Sequence, residues 1–156
     1  MASDVTALSN HTDAHHTGKC LCGQISYEIT GQPIFIALCH CVNCKKWTGT
    51  GSGWYAFFNK EQVHFTQGQD TLSTYTDTDT FRGTTLLRNF CPTCGSNLTA
   101  VLTSRHELTG VTAGTIEGDI CEVYKPQIEV YCKDRPKWLP ELGMKQFDIT
   151  PNVSRA

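Results

Sequence analysis

From Lys19 onward, apolar and polar positions alternate over short runs instead of recurring at helical spacing. Ile25, Tyr27 and Ile29 alternate with Ser26 and Glu28, the period of a strand with one buried face. The aromatic run from Gly53 to Phe58 predicts a strand buried on both faces. Val63 and Phe65 alternate again, as do Leu98, Ala100 and Leu102. Near the end, Ile128, Val130 and Cys132 share one face of a strand, with Gln127, Glu129 and Tyr131 on the other. Gly-rich and Asp-Thr clusters break the runs, notably Gln67-Gly68-Gln69-Asp70 and Thr76-Asp77-Thr78-Asp79. Long amphipathic patterns are absent, so only short helical turns are expected, one after Cys44 and one near Pro140-Glu141-Leu142. Strands at this spacing predict a mainly β fold of two packed antiparallel sheets. Residues 1–17, polar and carrying His11, His15 and His16, are expected as a flexible tail before one domain spanning 18–150.

Charge and hydropathy narrow the functional classes. A formal net charge of −2 and no basic cluster longer than Lys45-Lys46 leave no footprint for nucleic acid or a membrane surface. No apolar run approaches the roughly 20 residues of a spanning helix. The first residues lack the basic start and apolar stretch of a secretory signal, so a cytoplasmic setting is expected.

The nine cysteines change the picture most. An odd count without a secretory signal points away from disulfides and toward metal. Seven of them fall in three clusters: Cys20-Leu21-Cys22-Gly23, Cys39-His40-Cys41-Val42-Asn43-Cys44 and Cys91-Pro92-Thr93-Cys94-Gly95. Cys-x-x-Cys followed by Gly makes a tight turn that aims two thiolates at one ion, with Gly95 supplying the positive φ. A closed zinc site takes four protein ligands, so seven cysteines divide as four plus three. Cys20 and Cys22 with Cys91 and Cys94 are one candidate set, leaving Cys39, Cys41 and Cys44 for a second ion with a position open. His40, Cys121, Cys132 and the tail histidines stand as candidate fourth ligands there. Cys121 and Cys132 otherwise read as core residues, and His40 as a group behind the thiols. A redox Cys-x-x-Cys would need a βαβ setting that the pattern lacks.

Taken together, these motifs resemble the glutathione-dependent formaldehyde-activating enzyme family, which also includes centromere protein V. The resemblance runs from about Gly18 to Trp138. It rests on the three cysteine clusters with their flanks, Lys45-Lys46-Trp47-Thr48-Gly49 and Arg88-Asn89-Phe90 before Cys91, and on Ala113-Gly114-Thr115-Ile116 and Arg135-Pro136-Lys137-Trp138. It implies an Mss4-like fold of stacked sheets with zinc-binding loops and few short helices. It also implies two zinc ions per chain: a structural one on Cys20, Cys22, Cys91 and Cys94, and a catalytic one on Cys39, Cys41 and Cys44. Lys45 stands where many relatives carry Arg, so a bidentate anion contact is not expected there.

A zinc ion with three thiolates is a poor acid toward water and favours a soft fourth ligand, so a thiol is its natural visitor. The expected function is a zinc-dependent carbon–sulfur lyase or synthase, of the S-(hydroxymethyl)glutathione synthase kind, with glutathione or a related small thiol as cosubstrate. Lys45, Lys46 and Trp47 are the candidate contacts for that thiol. Trp47, Trp54, Tyr55 and Phe57 are candidate pocket walls, with strand core the simpler reading for Phe57. His106 and Glu107, the adjacent acid–base pair outside the clusters, read first as a polar loop. The alternatives are an enzyme of the same scaffold acting on a larger thiol-bearing metabolite, or a zinc-stabilised binding module without catalysis.

Overall fold

The computed structural model describes residues 14–151. In chain order its strands are β1 (His15–Lys19), β2 (Ser26–Thr30), β3 (Phe35–Cys39), β4 (Gly53–Asn59), β5 (Val63–Gln67), β6 (Ser73–Asp77), β7 (Leu86–Phe90), β8 (Asn97–Leu102), β9 (Leu108–Thr112), β10 (Ile128–Val130) and β11 (Lys145–Phe147). Two short helices, α1 (Val42–Thr48) and α2 (Ile120–Val123), and several 3-10 turns complete the described part. His11 and the side chain of Cys121, both considered as metal ligands, lie outside it.

The strands form two sheets, as the alternating pattern predicts. A three-stranded antiparallel sheet has the order β1-β2-β5, and an eight-stranded sheet has the order β11-β10-β3-β4-β9-β8-β7-β6. The larger sheet is antiparallel except around β10, which runs parallel to β3 and to β11. His15, His16 and Thr17, expected in the tail, belong to β1 and pair with Thr30, Ile29 and Glu28. Backbone pairing across that hairpin holds them where a loose terminus was expected.

Alternation assigns the two faces of the larger sheet different jobs. Ile36, Ala56, Phe58 and Val111 face the smaller sheet and pack with Ile25, Tyr27 and Ile29 in the main core. Their neighbours Ala37, Tyr55 and Phe57 face the other way and line a cavity. The aromatic run of β4 is therefore buried on both sides, half against core and half against a site. Along β8 the expected alternation is broken. The register slips between Asn89 and Phe90, whose partners are Thr99 and Asn97, so Leu98 has no partner. That extra residue reverses the phase of the remaining strand. Leu98 enters the main core, whereas Ala100 and Leu102 line the cavity.

Two expectations fail at the C-terminal end. Cys132 does not continue the face of Ile128 and Val130, because Tyr131 turns into the left-handed region (φ 56°) and a 3-10 turn follows at Cys132–Asp134. Pro140-Glu141-Leu142 forms no helical turn; Gly143, at φ 73°, comes too soon for a helix to propagate.

Candidate metal centres and an adjoining cavity

The first cysteine cluster joins two tight turns far apart in sequence. After β1, the Gly23 N–H donates to the Cys20 carbonyl at 3.0 Å, and Gly23 adopts φ 76°. After β7, the Gly95 N–H donates to the Cys91 carbonyl at 2.9 Å, with Gly95 at φ 74°. A Leu21 N–H to Ser96 Oγ bond of 2.9 Å docks one turn on the other. The sulfurs of Cys20, Cys22, Cys91 and Cys94 all lie within 4.8 Å of one another. Cys20 and Cys22 are 3.5 Å apart, and Cys22 and Cys91 are 3.7 Å apart. Four sulfurs bound to one zinc at about 2.3 Å sit roughly 3.8 Å from each other, so the spacing fits such an ion. The Ile25 N–H donates to Cys20 Sγ at 3.3 Å, a contact that favours thiolate. Hydrogen bonding from Ser96 brings the Cys94 thiol down to about 5. Cys20 and Cys91 are buried and every protein ligand is already supplied, as in a structural site.

The second cluster is local. Cys39 ends β3, Cys41 caps α1 and Cys44 sits in its first turn, their sulfurs within 4.8 Å of one another. Cys41 Sγ accepts from the Cys44 N–H at 3.3 Å, and Gly49 closes the helix in the left-handed region at φ 67°. Crowding divides the charge unequally. Hydrogen bonds from Cys39 and Cys44 bring the Cys41 thiol down to about 2, while contact with Cys41 pushes Cys39 well up. For Cys44 a contact with Cys39 pulls down, but Cys41 and burial outweigh it and leave the thiol at about 11. A bound cation would relieve this competition by letting all three ionise together.

Two buried polar networks hold this cluster from behind. Arg88, 2% exposed, donates through Nε and Nη2 to Asp77 at 2.9 Å each and points Nη1 at Cys44 Sγ from 4.0 Å. Its guanidinium also lies 5.6 Å from the Trp47 ring. Asn43 Nδ2 donates to both Asp77 oxygens at 3.0 Å. On the other side, the ring of His40 turns away from the thiols to meet Glu129 at 2.9 Å, both fully buried, with Arg135 3.3 Å from the same carboxylate.

The three cysteines open on a cavity of about 780 Å³. Its walls are mostly apolar: Phe35 stacks on Phe57 at 4.4 Å, beside Leu86, Ile128 and Val130. Arg82, Arg105 and Lys133 reach it, as do Asp79 and Asp134. Tyr55 lines it beside Cys44, its phenol pushed far above the usual range by burial, and its hydroxyl, in reach of the Cys44 sulfur, makes no well-directed hydrogen bond.

Several sequence candidates lie elsewhere. Lys45, Lys46 and Trp47 do not line the cavity. Lys45 Nζ donates to the Asp134 carbonyl at 2.7 Å, and Trp47 stacks on Tyr75 at 6.3 Å. Positions one and two beyond Cys44 are turned by about 100° and 200° around the helix, away from the face Cys44 presents. Trp54 donates to the Tyr124 carbonyl at 3.2 Å and packs on the main core. Phe57, read first as core, is a cavity wall. His106 and Glu107 are exposed, with Glu107 paired to Arg105 at 3.2 Å. His15 pairs with Glu28 and His16 packs against Tyr124 at 5.2 Å; neither joins a cysteine cluster, nor does Cys132. Sequence reasoning missed Asp77 and Glu129 and the use of Arg88. The one available signal was a charged residue at an inward position of the apolar strand Leu86–Phe90.

Among the described residues no helix is long and apolar enough to cross a membrane. The profile of the family described as glutathione-dependent formaldehyde-activating enzyme matches residues 15–134. A crystal structure of a Rhodobacter sphaeroides protein from structural genomics matches with a TM-score of 0.53 at 23% identity, over 65% of this chain and 88% of that one. At that identity the likeness speaks for the fold alone. No curated protein matches the chain.

Proposed function

The chain belongs to the glutathione-dependent formaldehyde-activating enzyme family, and from that premise we propose a zinc-dependent carbon–sulfur lyase or synthase that joins a small thiol to an aldehyde and reverses the same step. The observation carrying this reading is a three-sulfur cluster that opens on a cavity, beside a separate four-sulfur cluster that is closed. Cys20, Cys22, Cys91 and Cys94 would hold a structural zinc; Cys39, Cys41 and Cys44 would hold the second ion. When bound there, zinc keeps an incoming thiol as thiolate and so supplies the nucleophile.

The protein's own groups do the rest. Three cysteines at the cavity floor fix where the incoming sulfur lies. Arg88 offsets the negative charge gathered there, held in place by Asp77. The Phe35–Phe57 wall keeps water from the reacting carbon. Arg82 and Arg105 stand at the cavity to meet the carboxylates of a peptide-like thiol. The thiol sulfur adds to the carbonyl carbon, and the product carries a hydroxyl on the carbon bonded to sulfur. The described cysteines are all unpaired thiols, which suits a reducing compartment such as the cytoplasm.

A cavity of about 780 Å³ with aromatic walls favours one further reading. Pockets for drug-sized ligands run roughly 300–1,000 Å³, so a thiol adduct larger than that of formaldehyde also fits. Metal analysis of the purified protein and of Cys44→Ala tests the main reading. Two zinc ions per chain, falling to one with loss of glutathione binding and of turnover, are expected. One ion in both proteins would overturn it. A panel of glutathione adducts, from formaldehyde to aryl aldehydes, separates the two substrate sizes.

A further inference from the structure

Every strong hydrogen-bond donor at the cavity floor but one is already engaged. The Arg88 guanidinium is held by Asp77, and the Asn43 amide by Asp77 and the Asp79 carbonyl. The exception is Tyr55, 4% exposed, whose Oη is in reach of the Cys44 sulfur but forms no well-directed hydrogen bond among the described residues. Tyr124 shares that condition but lies in the main core, away from the cavity. A buried hydroxyl without a partner is costly, and a fold keeps one only where something else repays the loss.

The position of the ring is fixed by Gly53. Two residues back on β4, a Cβ at Gly53 would meet Tyr55 Cε2 at 2.5 Å and Oη at 2.9 Å. Gly53 pairs with Cys39 across the sheet. The ring therefore lies back along its own strand toward the ligand end of β3, and the hydroxyl comes to rest beside the cysteine cluster instead of pointing across the cavity. A phenol is protonated at neutral pH and offers one hydrogen to an acceptor.

We propose that Tyr55 is a catalytic residue whose hydroxyl donates to the substrate oxygen on the carbon that bonds to sulfur. This rests on the carbon–sulfur reading above and narrows it. The substrates are carbonyl compounds and the hydroxyl-bearing thiol adducts they form, not thioethers that lack that oxygen. In the forming direction a sulfur lone pair makes the carbon–sulfur bond while the carbonyl π pair moves to oxygen. The developing oxyanion accepts the Tyr55 hydrogen bond, and the proton lost by the thiol ends on that oxygen. Cleavage runs the same path backwards, with the hydroxyl proton returning to sulfur. A donor that meets its acceptor only as charge develops favours the transition state over the bound substrate.

The test compares the zinc-loaded full chain with Tyr55→Phe, using glutathione with formaldehyde and glutathione with benzaldehyde as probes. Exchange rates are followed by NMR, beside zinc content, glutathione affinity and melting temperature. The expected result is a turnover loss of about 10²–10³-fold for whichever probe the wild type converts. Zinc content and glutathione affinity should stay unchanged, and the melting temperature should rise because an unpaired buried hydroxyl is gone. Gly53→Ala, which pushes the ring from its place, should lower turnover in the same direction. Equal turnover in Tyr55→Phe and wild type would overturn the role of Tyr55 while leaving the carbon–sulfur reading intact. A wild type inert toward both probes would overturn both together. A turnover loss matched by loss of zinc would reduce Tyr55 to a structural part and also overturn the proposal.

Discussion

Arg88 and Asp77 meet at 2.9 Å where neither reaches solvent, being 2% and 3% exposed. The pair spans β6 and β7 and turns a guanidinium edge toward Cys44. Removing one partner of such a pair leaves an uncompensated buried charge, whereas removing both at constant volume is often nearly neutral. Arg88→Met should therefore lower stability by about 3–5 kcal/mol in urea unfolding, and Arg88→Met with Asp77→Leu should recover most of that loss. A double variant as unstable as the single one would show that packing, not charge, sets the penalty.

The His40–Glu129 contact makes a second prediction. His40 lies between two candidate ligands and points the opposite way, so Glu129 anchors the backbone that aims Cys39 and Cys41. Glu129→Leu should weaken zinc binding at the three-cysteine cluster by roughly 10–100-fold, the usual effect of losing a partner behind the ligands. Competition with a chromophoric chelator reads this directly, and the four-cysteine cluster provides the internal control.

The two clusters should fail differently. Cys91 is fully buried and belongs to the turn that docks on residues 20–23, so Cys91→Ser should compromise folding itself. Cys44→Ser should keep most of the fold and lose the ion at the open cluster. Circular dichroism melts with and without a strong chelator separate these outcomes: the chelator should shift the Cys44→Ser melt sharply and the Cys91→Ser melt little.

Arg82 reaches the cavity and bonds only Thr150, at 3.1 Å, among the described residues. Arg82→Glu should raise KM for an anionic thiol several-fold with kcat unchanged, an effect that fades as salt rises. Stability should move by no more than about 0.5 kcal/mol, since the side chain is exposed.

How far the sequence reached depends on the range of the interaction. Ile25, Tyr27 and Ile29 announced their buried face because strand alternation is local, and the cysteine turns were legible because two ligands and a glycine suffice to make one. Leu98 broke the expected phase because a bulge depends on how two strands pair, which no single run records. Cys132 was misplaced because Tyr131 adopts a positive φ that only glycine would have signalled. Lys45 and Lys46 attracted a role by adjacency to Cys44, but neighbours along a helix point to different sides. The partnership of Arg88 with Asp77, and of His40 with Glu129, joins distant segments and left no local mark.

The sulfurs of Cys22 and Cys91 touch across 69 positions of chain, whereas Cys39, Cys41 and Cys44 fall within a single short stretch. During synthesis the short stretch leaves the ribosome as a unit and can capture an ion before most strands of the larger sheet have emerged. The long-range set completes only once Cys94 has emerged and the large loop has closed. The binding free energy of an ion held there offsets the entropy that closing such a loop costs, so it acts as a clasp on a topology already reached. Zinc scarcity in a growing cell should thus leave two distinct populations: finished domains lacking an ion at the three-cysteine cluster, and nascent chains that never fasten.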